Sequence, residues 1–169
     1  MAAPIMSWWS GDNTTPMSTW PIGKLDAGYD SAEYQFLVWN NKGGSADVAD
    51  AVNCYVTTKD INGGNGVGTN ADQLVSGKWV KVCCSTNGLN PALPVSWYAI
   101  GGDVKSDLKA ADSLGGVVTP AKTICGKAND GNMLNFPECF ARLYTKVSIP
   151  SDAIMGKVDF LVRVGYQHI

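Results

Sequence analysis

The sequence predicts an all-β fold, a two-sheet antiparallel sandwich, and three observations predict it. The chain spends 19 glycines but only two glutamates, Glu33 and Glu138, in 169 residues. Helix surfaces draw on Glu, Lys and Ala, whereas Gly, Asn, Thr, Ser and Val favour strands and turns. Two stretches near the C-terminus alternate with a period of two residues. In residues 141–149, Leu143, Thr145, Val147 and Ile149 face one way and Arg142, Tyr144, Lys146 and Ser148 the other. In residues 157–166, Val158, Phe160, Val162, Val164 and Tyr166 share a face, with Leu161 the exception on the other. One dry and one wet face per strand is the pattern of an antiparallel sandwich.

Residues 1–30 show neither a helical nor a strand period. They carry Trp8, Trp9 and Trp20 among prolines 4, 16 and 21, and read as an extended N-terminal arm before a sandwich domain over 31–169. Each Trp covers about 150–250 Å² when buried, so the arm is expected to lie on a surface, with a neighbouring subunit favoured over its own domain. Strands follow at 34–39, 51–58, 78–85, 95–102 and 122–128, each rich in β-branched or aromatic residues and bounded by Gly, Asn, Asp or Pro. Residues 105–114 place Leu108, Ala111 and Leu114 at helical spacing and suggest one short helix, with 47–51 a second candidate. Seven strands at this spacing suggest an immunoglobulin-like sandwich, with a jelly roll as the runner-up.

Chemistry-bearing patterns are sparse. The single histidine, His168, lies next to the C-terminus, where a general base is poorly held. The aspartates form no pair that the sequence singles out. Five cysteines lack metal-ligand spacing and read as buried free thiols; Cys83 and Cys84 point to opposite faces of one strand. The loop 59–72 offers Asp60, Asn62, Asn65 and Asp72 as a weak Ca²⁺ candidate, but lacks the closing bidentate Glu of an EF-hand and reads first as a glycine-rich hairpin loop. No metal and no cofactor are expected. Trp97 and Tyr98, with Tyr34, Trp39 and Trp79, make a carbohydrate-stacking platform the alternative functional reading, against ordinary core packing.

The run "WNNKGG" at 39–44 reads as a tight connection. Gly43 and Gly44 accept positive φ, and Asn40 and Asn41 can bond nearby backbone; the same loop could contact a partner chain. A net charge of −2 without a Lys/Arg cluster gives no reason to expect nucleic acid. The N-terminus lacks the basic and apolar regions of a signal peptide, and no apolar run is long enough for a membrane helix.

"FLVWNNKGG", followed by "VADAVNCYVTTKD" and "KWVKV", resembles small structural proteins of tailed bacteriophages and prophages. The chain end through Pro150, Ala153, Gly156, Val158, Phe160, Leu161, Arg163, Val164 and Tyr166, and "DAGYDS" at 26–31, carry the same likeness. The resemblance implies a non-enzymatic virion protein, a capsid decoration or a tail or baseplate component, assembled in the host bacterial cytoplasm. Its expected partners are other virion subunits and further copies of itself, as trimers or a lattice-linked array. Trp8, Trp9 and Trp20 would be its main anchor.

Overall fold

The computed structural model describes residues 1–85, 88, 93–94 and 96–168. Two antiparallel sheets face each other. The larger orders β1 (Met6–Ser10), β2 (Tyr34–Asn40), β7 (Phe140–Val147), β4 (Val80–Cys84) and β5 (Tyr98–Ile100) as β1-β2-β7-β4-β5. The smaller orders β6 (Ser106–Asp107), β3 (Val52–Asp60) and β8 (Phe160–Gln167) as β6-β3-β8. The main core lies between them, with Val38, Val80, Val82, Leu143 and Val147 from one sheet against Cys54 and Val56 from the other. Each such side chain contributes about 1.5–3 kcal/mol by leaving water.

A second, smaller core lies on the outer face of the five-stranded sheet, where Leu37, Trp39, Cys139 and Phe140 pack together with Trp9, Met133 and Phe136 beside them. Trp39 and Phe140 stack with ring centroids 4.8 Å apart. The loop of residues 125–139 covers this face. That layer explains why β2 reads as a continuous apolar run: Leu37 and Trp39 face outward, Phe36 and Val38 inward, and all four are buried.

The same layer corrects one expectation for β7. Leu143, Thr145 and Val147 face the core as predicted, but Arg142 and Tyr144 on the opposite face are buried rather than wet. The Arg142 guanidinium donates to the carbonyls of Gly88 and Gly11, both at 2.8 Å, and to Gln35 Oε1 at 3.0 Å. Desolvation holds its pKa below the ordinary arginine value.

Four further expectations change. The N-terminal segment is extended, but Met6–Ser10 is a strand of the body, in register with β2 from Met6↔Asn40 to Ser10↔Phe36. Residues 105–114 form no helix: Ser106–Asp107 pairs with β3, while Ala110 bridges Ala141 and Ala111 bridges Val117. Leu108 is fully buried, which accounts for the apolar spacing without a helical turn. Residues 47–51 carry bridges at Val48 and Ala51 instead of a helix, and residues 122–128 contribute one bridge, Ile124 to Ala51. The α-helix of the described chain is α1 (Asp72–Ser76), whose Leu74 and Val75 are buried.

All five cysteines are free, with Cys54 and Cys139 buried. Burial pushes both thiols up to about 12, as for small apolar side chains without redox work.

The loop after β3 is no hairpin, since it leads through α1 to β4 in the other sheet; it is organised by Asp60. Its Oδ1 accepts the N–H groups of Asn62 at 2.8 Å and Gly64 at 3.0 Å, and its Oδ2 that of Gly66 at 3.0 Å. The bond from Gly64, then those from Gly66 and Asn62, hold its carboxyl below the ordinary value of 3.8. A depressed folded pKa gives stability that is present above the unfolded value and is lost as pH falls through the folded one. Asp60→Asn is therefore expected to lower the melting temperature at pH 7, with the gap to wild type narrowing below pH 3.8. Thermal melts at pH 7 and in strong acid check this; an equal gap at both would contradict the role of the charge.

Candidate functional site

The "WNNKGG" run is an internal tie. Asn40, fully buried at the end of β2, accepts the Ile5 N–H at 3.0 Å and donates to the carbonyls of Ala49 at 3.0 Å and Ile124 at 3.1 Å. Asn41 adopts φ of 61° and donates to the carbonyls of Ala46 at 2.8 Å, Lys127 at 3.1 Å and Gly126 at 3.2 Å. The turn closes with the Gly44 N–H on the Asn41 carbonyl at 3.0 Å. Gly43 sits third with φ of 72°, the left-handed value a type II turn requires there. A Cβ on Gly44 would stand 2.1 Å from Asn41 Oδ1, so close approach requires this glycine too.

Asn129 completes the tie, accepting the Gly43 N–H at 2.9 Å and donating to the Asn41 carbonyl at 2.8 Å. Lys42 lies 3.1 Å from the Trp9 ring centroid and donates to the Asn13 carbonyl at 3.0 Å. Asn40 and Asn41 thus have their side-chain polar groups turned into the protein.

The tryptophans of the arm are also spent within the chain. Trp8 faces the main core and meets Phe36 edge-on at 5.5 Å between centroids, while Trp9 faces the outer core. Neighbouring positions on β1 point to opposite faces, so the two rings serve separate layers. Ile5, Asn13 and Met17 are also bonded to the body, so the segment that carries Trp8 and Trp9 is fastened within its own chain. Trp20 differs: it bridges the sheets, 6.0 Å from Phe36 and 6.2 Å from Phe160.

Trp20 marks the open flank of the sandwich. Five strands face three, and the inner face of β1 and β2 extends past β8 without a strand opposite it. Residues 18–25 cross this gap as a strap. Among the described residues, no backbone hydrogen bond joins 18–25 to the rest of the chain; the one within it runs from the Ile22 N–H to the Trp20 carbonyl at 2.9 Å. The strap is held by Trp20, Ile22 and Leu25, packed against the core and only partly buried. Beside it opens a largely apolar cavity of about 950 Å³, with Phe36 and Val147 on one wall and Phe160 and Val162 on the other. Ile154 and Met155 stand on its rim, 75% and 94% exposed. A cavity of this size accepts a chain segment or several apolar side chains.

The other candidate residues do not come together. Trp97 lies over Lys146, 4.8 Å from its Nζ, on the outer face. Tyr98 is in register with Val82, whose side chain faces the core. The two rings form no common platform. In the loop 59–72, Asp60 is engaged by three N–H groups, Asn65 bonds Lys59 and Asp103, and Asp72 accepts from Ser76. Asn62 supplies one of those N–H groups to Asp60. These partners leave no convergent oxygen cage for Ca²⁺. Among the described residues, no three His, Cys, Asp or Glu side chains are grouped to hold a metal, and no helix is long and apolar enough to cross a membrane.

Sequence reasoning missed the rim. Its signal was present in "PSDAIMG", where Ile154 and Met155 sit in a turn that has no core to bury them. Comparison with protein-family models, with curated proteins and with solved structures returned no match.

The tie predicts a graded mutational response. Asn40→Ala leaves the Ile5 N–H and the Ala49 carbonyl without their partner, while the Ile124 carbonyl keeps the Ala51 N–H, and is expected to cost about 2–4 kcal/mol. Asn40→Asp at pH 7 sets a carboxylate against two carbonyl oxygens and is expected to cost more, with partial recovery in acid as the carboxyl regains a proton to donate. Urea unfolding at two pH values measures both; an Asn40→Asp protein as stable as wild type at pH 7 would contradict the tie.

Proposed function

We propose that this chain is a non-enzymatic structural subunit of a bacteriophage virion that docks on the particle through the open flank of its sandwich. The observation that carries the docking mode is the apolar cavity beside the strap, rimmed by exposed Ile154 and Met155. Large exposed apolar surface on a folded domain is costly in water and is characteristic of binding surfaces. The virion assignment draws its support from the sequence resemblance of "FLVWNNKGG" and of the chain end that runs from Pro150 through β8.

The partner on this reading is another virion subunit that presents apolar side chains to the flank. Capsid decoration and tail or baseplate attachment use the surface in the same way. The carbohydrate-binding reading gains no support from Trp97 and Tyr98, which serve different faces.

Mass spectrometry of density-purified particles, from a phage or prophage that encodes the chain, tests the proposal. The chain is expected in multiple copies per particle. Ile154→Asp combined with Met155→Asp should preserve the fold, because both side chains are exposed, and reduce incorporation at least about tenfold, the effect of losing ~1.4 kcal/mol of binding. Absence of the wild-type chain from particles would overturn the virion role. Full incorporation of the double variant would overturn the docking surface.

A further inference from the structure

The sandwich has four sheet edges, and three of them are blunted. β1 is covered by its own chain: the Ser10 N–H donates to the Thr15 carbonyl and the Met17 N–H to the Trp8 carbonyl, both at 2.8 Å. β5 is three residues long and β6 two. Short or covered edges are how folded domains avoid pairing with one another.

β8 is neither short nor bonded over by its own chain: the strap 18–25 lies beside it with Trp20 on Phe160, but among the described residues makes no backbone bond to it. The strand is eight residues long, Phe160–Gln167, and pairs only with β3, in unbroken register from Asp60↔Phe160 to Tyr55↔Gly165. It contains no proline and a single charged residue, Arg163. Among the described residues, no backbone hydrogen bond reaches its outer side. Its inward side chains Phe160, Val162 and Val164 pack on the core but stay only half-buried. Exposed Leu161 and Tyr166 add apolar surface beside the open edge.

We propose that β8 is a two-fold assembly edge, on which β8 of a second copy pairs antiparallel, centred on Val164. The proposal rests on the reading of the open flank as an assembly surface, and it names the occupant of the edge. Antiparallel pairing of identical strands is a closed, self-complementary contact. A dyad perpendicular to the sheet keeps inward residues opposite inward residues, so the pairing can be centred only on a residue.

Two centres retain most of the strand. Centring on Arg163 sets that cation directly against its copy, a destabilising arrangement. Centring on Val164 places Arg163 opposite Gly165, Val162 opposite Tyr166 and Leu161 opposite Gln167. Gly165 presents no side chain or charge of its own to Arg163; the Tyr55 ring lies over it, 2.1 Å from where a Cβ would stand. The inward stripe Val162, Val164 and Tyr166 then runs on unbroken from one copy into the next. The two three-stranded sheets join into one of six, and the short side of each sandwich gains the neighbour it lacks.

Light scattering on the purified full chain over a wide concentration range, combined with cross-linking, tests this. The expected mass is twice that of the monomer. Leu161→Cys with Gln167→Cys places paired thiols across the dyad, at the roughly 4.5–5.5 Å Cα separation of an antiparallel pair, which a disulfide spans. Oxidation with copper(II)-phenanthroline, in which two Cu(II) ions each take up one electron as the two thiols lose their protons, should then yield a covalent dimer on a non-reducing gel. Tyr29→Cys, more exposed than Leu161 but away from the edge, should not.

A monomer at every concentration, a trimer, or equal cross-linking of the Tyr29→Cys control would overturn the pairing. The outcome is separable from the virion assignment. A monomeric chain found in particles defeats only the edge pairing, and a dimer absent from particles defeats only the virion role.

Discussion

The buried amides of Asn40 and Asn41 hold this fold together at the point where its layers meet. A strand buried on both faces needs a cover on each side. For β2 the inner cover is the three-stranded sheet and the outer one is the loop 125–139. That loop has little regular structure of its own, so its backbone must be satisfied by something else. Asn40, Asn41 and Asn129 add to the few backbone bonds there: they share the Ile124 carbonyl with the Ala51 N–H and the Gly126 carbonyl with the Val48 N–H, and bond the Lys127 carbonyl and the Gly43 N–H. Asn40 at the same time fixes the Ile5 N–H next to β1. Loss of one amide would loosen an edge strand and a covering loop together.

The tie divides the molecule into a fastened side and an open side. Where the asparagines act, the N-terminal segment, the turn after β2 and the outer loop are mutually bonded, and Lys42 is pressed against Trp9. On the opposite flank, residues 18–25 span the gap between the sheets on three apolar side chains. Binding regions are drawn from the less stable parts of a fold. The strap, the rim at Ile154 and Met155, and the free edge of β8 occupy one such region, the flank proposed above as the docking face.

Much of the architecture was legible in the sequence. The alternation in β7 and β8 located the inward faces of both strands, because apolar residues recur at every second position along each; in β7 the polar alternates Arg142 and Tyr144 are buried as well. β2 was legible as a strand but its double burial was not, since a continuous apolar run does not say what covers it. The split of Trp8 and Trp9 between two cores follows from the strand period once β1 is known. β1 itself was hidden by the prolines and polar residues around it. Helix α1 lies in a glycine-rich stretch with weak helical propensity and is held by burial of Leu74 and Val75. The asparagine roles were least legible. The most distant partners of Asn40 and Asn129 lie 84 and 88 residues away along the chain, and no local pattern encodes such a contact. The open flank was missed for a related reason: it depends on how many strands each sheet ends with.

Native-state hydrogen exchange, read residue by residue, tests this division most directly. The account predicts strong protection for the N–H groups of Ile5, Gly43 and the inner residues of β2, which are held by the asparagine tie and the two covering layers. It predicts exchange close to that of an unstructured chain for residues 18–25, whose N–H groups have no partner in the body. Protection of the strap equal to that of β2, or fast exchange at Ile5 and Gly43, would contradict it.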